Sequence, residues 1–147
     1  MSRSIPWLTL DANIFVAALK QDEKYSDDCA KLLELAASDY RLVEPSVVFV
    51  EVLGTLARRL GSDVTGIARD NLCKIIDPVN VFDCDRGFCL GSYSLCEQYG
   101  VYAVDALYLE SALRRNAVLV SLDREDFIDR VNAKSPPIRA LHVSEFF

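Results

Sequence analysis

The chain has 147 residues, and we expect it to form a single domain over residues 1–147. Hydrophobic residues make up 51% of the sequence, so a packed core can form without disulfides or a structural metal. A protein that binds nucleic acid through its overall charge is basic, whereas this chain carries a formal net charge of −6. Any contact with nucleic acid must therefore be local.

The N-terminal sequence MSRSIPWLTL has neither the apolar stretch nor the cleavage pattern of a secretory leader. No apolar run approaches the length needed to cross a bilayer. We therefore expect a soluble, cytoplasmic protein with no membrane partner. The five cysteines form no C-x-x-C pair and are odd in number, which argues against a zinc site or a disulfide framework. The only histidine, His142, is more typical of a structural residue than of a catalytic one.

Short apolar runs alternate with helical patterns along the chain. The predicted strands are Trp7–Leu10, Arg41–Val43, Val79–Phe82, Val118–Leu122 and Ala140–Val143. The predicted helices are Tyr25–Ser38, Ser46–Leu60, Val64–Cys73, Asp85–Tyr99, Asp105–Arg115 and Glu125–Val131. Strands that alternate with helices favour a parallel sheet, and apolar runs without alternation are typical of strands covered on both faces. The pattern predicts an α/β fold, a three-layer α/β/α sandwich with a mainly parallel central sheet.

Four acidic residues stand where an apolar run ends or is interrupted, namely Asp11, Glu51, Asp105 and Asp123. Asp11 and Asp123 each follow a predicted strand, so they should emerge at the same edge if those strands are parallel neighbours. Asp105 opens a helix, and Glu51 lies in the second turn of another that must pack over this edge. Grouped carboxylates repel one another, so they either take up protons or hold a cation, for which Mg²⁺ or Mn²⁺ is suited. The spacing predicts a divalent-metal site.

Each acid also has an ordinary structural interpretation. Asp11 and Asp105 could cap helices or stabilise first turns, at about 1 kcal/mol each. The acid after the run VLVSL could begin a turn into the next helix. Glu51 could face solvent on a polar stripe of its helix, together with Thr55 and Arg58. For a single acid the structural interpretation is favoured, whereas the four together favour a site.

At these residues the chain resembles the PIN-domain family, and within it the small VapC-type toxins of prokaryotic toxin–antitoxin pairs. The resemblance covers nearly the whole chain and consists of four motifs in the family's order, each carrying one of the acids. They are LDANIF (Leu10–Phe15), PSVVFVEVLGTLAR (Pro45–Arg58), VDALYLESAL (Val104–Leu113) and LVSLDREDF (Leu119–Phe127). A D-x-N triplet alone is common, but four ordered motifs at family-like spacing are a strong signal.

The resemblance implies a ribonuclease that depends on Mg²⁺ or Mn²⁺. The implied metal ligands and catalytic acids are Asp11, Glu51, Asp105 and Asp123. The implied supporting residues are Asn13 and Ser121, which would hold carboxylates or waters, and Asp126, which matches an occasional fifth acid. Such an ion lowers the pKa of its bound water and neutralises charge on the phosphate. Single-stranded or looped RNA is the implied substrate, because its backbone reaches a cleft that a duplex cannot enter.

The resemblance also implies two protein partners, a second copy of the chain and an antitoxin. We expect a symmetric homodimer built from the Asp85–Arg115 region, with the early helices left open for an antitoxin peptide. The apolar residues expected to supply these surfaces are Tyr25, Leu32, Phe49, Leu53, Tyr99, Tyr102 and Tyr108.

Two rival acidic sites fit the sequence poorly, and one of them, the phospho-receiver domain, is kept as an alternative only behind a silent PIN module. A phospho-receiver domain needs an acidic pair before its acceptor Asp and a lysine after its last strand, but only Asp11 ends the first run and no lysine follows Lys134. A dehalogenase-type phosphatase needs D-x-D, where this chain has Asp11-Ala12-Asn13. A catalytically silent PIN module that acts as a scaffold remains the alternative.

Overall fold

A computed structural model of the chain describes residues 4–20 and 22–147. Residues 1–3 and residue 21 lie outside this described part. The prediction that the N-terminal sequence is not a secretory leader therefore falls partly on residues that the structure does not describe. The strands are β1 (Trp7–Leu10), β2 (Arg41–Leu42), β3 (Glu44–Pro45), β4 (Val81–Phe82), β5 (Val118–Ser121) and β6 (Ala140–His142). Four of them form a parallel sheet in the order β2-β1-β5-β6, and β3 pairs with β4 in a separate parallel pair.

Helices flank this sheet, which confirms the predicted α/β sandwich. They are α1 (Ala12–Leu19), α2 (Ser26–Ser38), α3 (Val47–Leu60), α4 (Ser62–Ile75), α5 (Arg86–Ser92), α6 (Ser94–Tyr99), α7 (Ala103–Arg115) and α8 (Asp129–Asn132). Shorter helical turns occupy Pro78–Asn80, Arg124–Ile128 and Val143–Glu145. In the described residues, no helix combines the length and apolar character that crossing a membrane requires.

The strands that precede two of the four acids are neighbours in the centre of the sheet. β1 and β5 are parallel, with Leu8 opposite Val118 and Leu10 opposite Val120. The ladder extends one residue past β1, because the Asp11 amide donates a hydrogen bond of 3.0 Å to Val120 O. The prediction that these two strands lie side by side is confirmed.

Four of the five predicted strands are shorter in the structure, and two of these four lie near a proline. The run Arg41–Val43 ends as a strand at Leu42, and the chain then leaves the main sheet as β3, whose Pro45 has no amide to donate. The run Val79–Phe82 begins instead as the turn Pro78–Asn80, with Asp77 accepting a bond from the Val79 amide. Only its last two residues form a strand.

Three helical segments differ from the predictions, and one of them, the predicted helix Glu125–Val131, is a helical turn over Arg124–Ile128 followed by α8. The predicted helix Asp85–Tyr99 is two helices, α5 and α6, that meet at Tyr93. Helix α1 was not predicted, because its residues Ala12–Ala17 are apolar and buried around most of the helix, apart from Asn13. A helix that is apolar on nearly all sides lacks the one-sided periodicity by which amphipathic helices are recognised.

Several aromatic and apolar residues expected at protein interfaces lie in the core instead. Tyr108 and Leu32 are fully buried and Tyr99 is nearly so, which makes the prediction wrong for all three. Tyr102 is 59% exposed, so it stays available on the surface. Large aromatic side chains contribute most when buried, and a sequence offers no direct sign of which face of a helix they occupy.

Candidate active site

A cleft of about 440 Å³ opens at the carboxyl ends of β1 and β5, and all four predicted acids line it. They are Asp11, Glu51, Asp105 and Asp123. Other polar or charged residues that line the cleft are Asn13, Glu23, Thr55 and Arg59. The fold therefore brings together side chains that are up to 112 positions apart, as expected for a site at the edge of a parallel sheet.

Asp11 is buried at the base of the cleft, with 7% of its surface exposed. Its Oδ2 accepts a hydrogen bond of 2.7 Å from Ser121 Oγ and a longer one of 3.3 Å from Asn13 Nδ2. Although Asp11 stands at the N-cap position of α1, its side chain makes no capping bond. The helix-cap interpretation of Asp11 therefore does not hold, because its carboxylate is directed to Ser121 and Asn13.

Ser121 and Asn13 join the ends of the two central strands. Ser121 Oγ donates to Asp11 and also accepts a bond of 3.0 Å from the Asp123 amide. Asn13 donates 3.2 Å to Ser121 Oγ, while its own Oδ1 accepts a bond of 3.2 Å from the Leu122 amide. These contacts fix the backbone that carries Asp123 relative to Asp11, as supporting residues around a ligand set do.

Asp123 caps the turn that follows it, and the Asp126 carboxylate is bound by an arginine. Asp123 Oδ1 accepts a bond of 3.0 Å from the Asp126 amide, so one of its oxygens has the structural role considered from the sequence. The Asp126 carboxylate pairs with Arg130 Nη2 at 2.9 Å, and Arg130 Nη1 donates 2.7 Å to Gly100 O. Asp126 is not among the residues that line the cleft.

Helix α7 supplies both Asp105 and the residue that orients Glu51. Tyr108 lies one turn after Asp105, and its buried hydroxyl donates a hydrogen bond of 2.7 Å to Glu51 Oε1. The Tyr108 ring is fixed in the core, so this residue of α7 orients the carboxylate of Glu51, which belongs to α3.

The cleft-facing stripe of α3 differs from the predicted one. Glu51, Thr55 and Arg59, spaced four residues apart, line the cleft, whereas Arg58 is exposed elsewhere on the helix. Arg59 Nη1 lies 3.4 Å from Glu23 Oε1, and Lys20 Nζ lies 3.3 Å from the same oxygen. Within the cleft lining, Arg59 is thus a cation beside several acids.

Burial and mutual repulsion raise the pKa values of two of the acids. Burial raises the pKa of Asp11 to about 6, repulsion from Glu51 and Asp123 adds to this, and the Ser121 hydrogen bond opposes it. For Asp105 the pKa rises to about 7, mainly through burial and then through the negative charges of Asp11, Asp123, Glu51 and Asp126. The cleft concentrates negative charge that a cation would relieve.

The donor chemistry of the cleft fits a hard divalent cation, since its acids offer only carboxylate oxygens. In the described residues, however, no three acidic, histidine or cysteine side chains stand close enough to form a ready-made metal-binding group. Repelling carboxylates lower their energy by separating. Binding of an ion would therefore require these side chains to turn inward.

Three residues near the acids were not identified from the sequence as part of the site. Tyr108 was assigned to a partner surface, although its position one turn after Asp105 on the same helix was an available signal. Arg58, rather than Arg59, was expected on the polar stripe of α3 with Glu51 and Thr55. Glu44 is fully buried and its Oε1 accepts a hydrogen bond of 2.7 Å from the Leu10 amide; its only signal was an acid inside an apolar run before Pro45.

The PIN-domain model matches residues 8–134, which include all four acids and most of the chain. The chain belongs to the PIN-domain family. The resemblance seen in the four motifs is thereby confirmed. No curated protein matches the chain in sequence.

Solved structures with similar folds include chains of toxin–antitoxin complexes and PAE2754 from Pyrobaculum aerophilum. A chain of the Rickettsia felis VapBC2 complex bound to a promoter DNA fragment is 19% identical with a TM-score of 0.66, covering 92% of this PIN domain chain and 98% of that one. A chain of DNA-bound VapBC from Salmonella typhimurium is 16% identical with a TM-score of 0.65, covering 95% and 99%. PAE2754 from Pyrobaculum aerophilum is 20% identical with a TM-score of 0.58, covering 97% and 94%. At these identities the likeness to the solved structures establishes the fold alone.

Proposed function

We propose that residues 1–147 act as one PIN-type domain, a divalent-metal-dependent endoribonuclease that is the toxin of a toxin–antitoxin pair in the cytoplasm. One observation carries the proposal: the acids of all four motifs line a single cleft, where burial and repulsion raise the pKa values of Asp11 and Asp105. Repulsion among the acids destabilises the fold unless a cation binds them, so the arrangement favours a metal-binding site.

The proposed ligands of Mg²⁺ or Mn²⁺ are Asp11, Glu51, Asp105 and Asp123. When bound, such an ion lowers the pKa of a bound water and neutralises charge that develops on the phosphate. The chain's own contribution is orientation: Ser121 and Asn13 hold the Asp11 carboxylate, and Tyr108 holds that of Glu51. The Asp126 amide binds Asp123, and the Asp126 carboxylate, paired with Arg130, is proposed to influence the site through its charge.

The proposed substrate is single-stranded or looped RNA, whose backbone can enter a cleft of this size. Arg59 is the proposed contact to a phosphate beside the scissile bond, because it lines the cleft on the same stripe of α3 as Glu51. Its pairing with Glu23 at 3.4 Å is long and partly exposed, so exchanging the carboxylate for a phosphate costs little. The overall charge of −6 agrees with local rather than wrapping contacts.

The proposed homodimer uses the Asp85–Arg115 region, where α5, α7 and the residues just before α6 and α7 carry exposed apolar side chains. They are Leu90, Tyr93, Tyr102 and Val104. The proposed site for an antitoxin peptide is the pair of helices α3 and α4, where Val50 and Ile67 are 67% and 65% exposed. An arginine or lysine of that peptide placed in the acidic cleft would compete with the metal ion.

A cleavage assay with and without metal tests the function. Purified protein is incubated with single-stranded, hairpin and duplex RNA in EDTA, Mg²⁺ or Mn²⁺. We expect cleavage of single strands or loops that requires the metal and is lost in Asp11→Asn. Asp39→Asn, which removes an exposed acid after α2, should cleave normally. Metal binding without cleavage of any RNA would instead favour the silent scaffold.

A further inference from the structure

Glu44 is a fully buried acid that has no role in the function proposed above. Its exposed fraction is 0%, and it is not among the residues that line the acidic cleft. Within the described part of the chain it takes part in no ion pair, and its Oε2 is the only buried side-chain polar atom without a hydrogen-bond partner. Burying a carboxyl in this way is costly, so a compensating role is expected.

The main-chain ladder between β1 and its neighbour stops just before Asp11. The Arg41 amide donates to Pro6 O and the Val43 amide donates to Leu8 O, each at 3.0 Å. Two residues further on, the next donor of this parallel ladder would be Pro45, which has no amide hydrogen. At this point the chain turns away to pair with β4.

The Glu44 side chain bridges the gap that this departure leaves. The Leu10 amide, which a continued ladder would direct to the Val43 carbonyl, donates to Glu44 Oε1 at 2.7 Å. The Val43 carbonyl accepts instead from Thr9 Oγ1 at 2.9 Å. Two side chains therefore satisfy the Leu10 amide and the Val43 carbonyl, which the departing strand leaves without main-chain partners.

We propose that Glu44 is a positioning residue for Asp11, whose carboxyl replaces the missing strand bond and fixes the end of β1. Leu10 immediately precedes Asp11, and the Asp11 amide is bound on the other side to Val120 O. The end of β1 is thus held from both directions, so the Asp11 carboxylate leaves the sheet at a defined place. The effect of Glu44 on metal affinity rests on the proposed function, but the hydrogen bond from the Leu10 amide to Glu44 does not.

The bond requires an acceptor at Oε1 and does not require a negative charge. Burial, and then the negative charge of Asp11, raise the pKa of Glu44 well above its usual range, while the Leu10 bond opposes the rise. A glutamine in the same position keeps the acceptor and the length of the side chain. A methionine has a similar length and lacks the oxygen, so it leaves the Leu10 amide unpaired.

The test compares Glu44→Gln and Glu44→Met with the wild-type chain by two measurements. Amide hydrogen exchange at Leu10 and Asp11 reports the contact in metal-free protein, and titration calorimetry with Mn²⁺ reports its effect on Asp11. We expect faster exchange at both amides in the methionine variant and a weakening of Mn²⁺ affinity by about tenfold or more. The glutamine variant should keep slow exchange and an affinity within about threefold of wild type.

A matched control separates positioning from loss of stability. Leu72→Ala removes a buried side chain of α4 and should lower Tm without changing Mn²⁺ affinity or exchange at Leu10. Unchanged exchange in the methionine variant, or a glutamine variant as impaired as methionine, would overturn the proposal. If the methionine variant does not fold, the glutamine variant decides the outcome. A Mn²⁺ affinity weaker than that of wild type in the glutamine variant would then overturn the proposal. Wild-type protein that binds no Mn²⁺ would contradict the proposed function, while exchange at Leu10 would still decide the role of Glu44.

Discussion

Replacing Asp11 with asparagine removes a charge that opposes folding. Burial and the neighbouring acids raise the pKa of Asp11 from 3.8 to about 6, so the ionised carboxylate destabilises the metal-free fold at neutral pH. A pKa raised from 3.8 to about 6 corresponds to a loss of about 3 kcal/mol in the free energy of unfolding. This is an upper limit for the gain on substitution, because asparagine must also be buried and binds Ser121 less strongly. We expect Asp11→Asn to stabilise the metal-free protein by about 2 kcal/mol near pH 7.5, or by about 4–8 °C in Tm.

The pH dependence of this effect has a defined sign. In the unfolded chain Asp11 loses its proton near the ordinary aspartate pKa of 3.8, whereas the folded protein keeps the proton up to about pH 6. Wild-type stability therefore falls as the pH rises through this window, and Asp105, with a pKa of about 7, extends the fall. The stabilising effect of Asp11→Asn should shrink towards zero near pH 4, which urea unfolding in EDTA at several pH values measures.

Bound metal should reverse the order of stability, so that the wild-type protein becomes more stable than Asp11→Asn. Mn²⁺ at about 100 times its Kd adds about 2.7 kcal/mol to a protein that binds it in the folded state only. Wild-type protein should receive this gain and Asp11→Asn much less of it, while the exposed control Asp39→Asn should behave as wild type in both conditions. Equal metal-induced shifts in wild type and Asp11→Asn would refute Asp11 as a ligand. A destabilised Asp11→Asn protein in EDTA near pH 7.5 would refute the electrostatic reasoning.

Three further outcomes test the rest of the site. Tyr108→Phe frees the Glu51 carboxylate, so we expect a loss of about 1 kcal/mol in urea unfolding and a fall of about tenfold in kcat for RNA cleavage. Arg59→Ala should raise KM for RNA and flatten its dependence on salt, whereas Arg58→Ala on the same helix should change neither. Dialysis against EDTA should abolish cleavage and added Mn²⁺ should restore it; cleavage that persists in EDTA would contradict a metal-dependent mechanism.

The central sheet was predictable because its strands are apolar on both faces. The runs WLTL and VLVSL each stop at an acid, and that boundary marked both the strand end and the site. Local patterns were insufficient where tertiary contacts decide the structure. Helix α1 is buried on most of its surface and so has little amphipathic periodicity, and the departure of the chain after Val43 depends on the pairing of Glu44–Pro45 with Val81–Phe82.

The acids of the site were easier to predict than the residues that hold them. An acid after an apolar run can be recognised in the sequence. The hydrogen bond from Tyr108 to Glu51 cannot, because the two residues are 57 positions apart and meet only when α7 packs against α3. The choice between Arg58 and Arg59 likewise depends on the rotation of α3, because successive residues of a helix point about 100° apart. For Glu44 the local signal, an acid before Pro45 in an apolar run, did not reveal its role, because that role arises from a ladder that Pro45 cannot continue.

The location of Asp11 explains how a marginally stable fold can accommodate such a charge. Its amide belongs to the central ladder through Val120 O, and the preceding Leu10 is fully buried and bound to Glu44. The backbone that carries the carboxylate is therefore fixed by apolar burial and hydrogen bonds that do not involve its charge. Because position and charge depend on different contacts, a substitution can remove the charge and leave the position intact. The same separation means that a cation entering the cleft can relieve the repulsion among the acids without any change in the sheet.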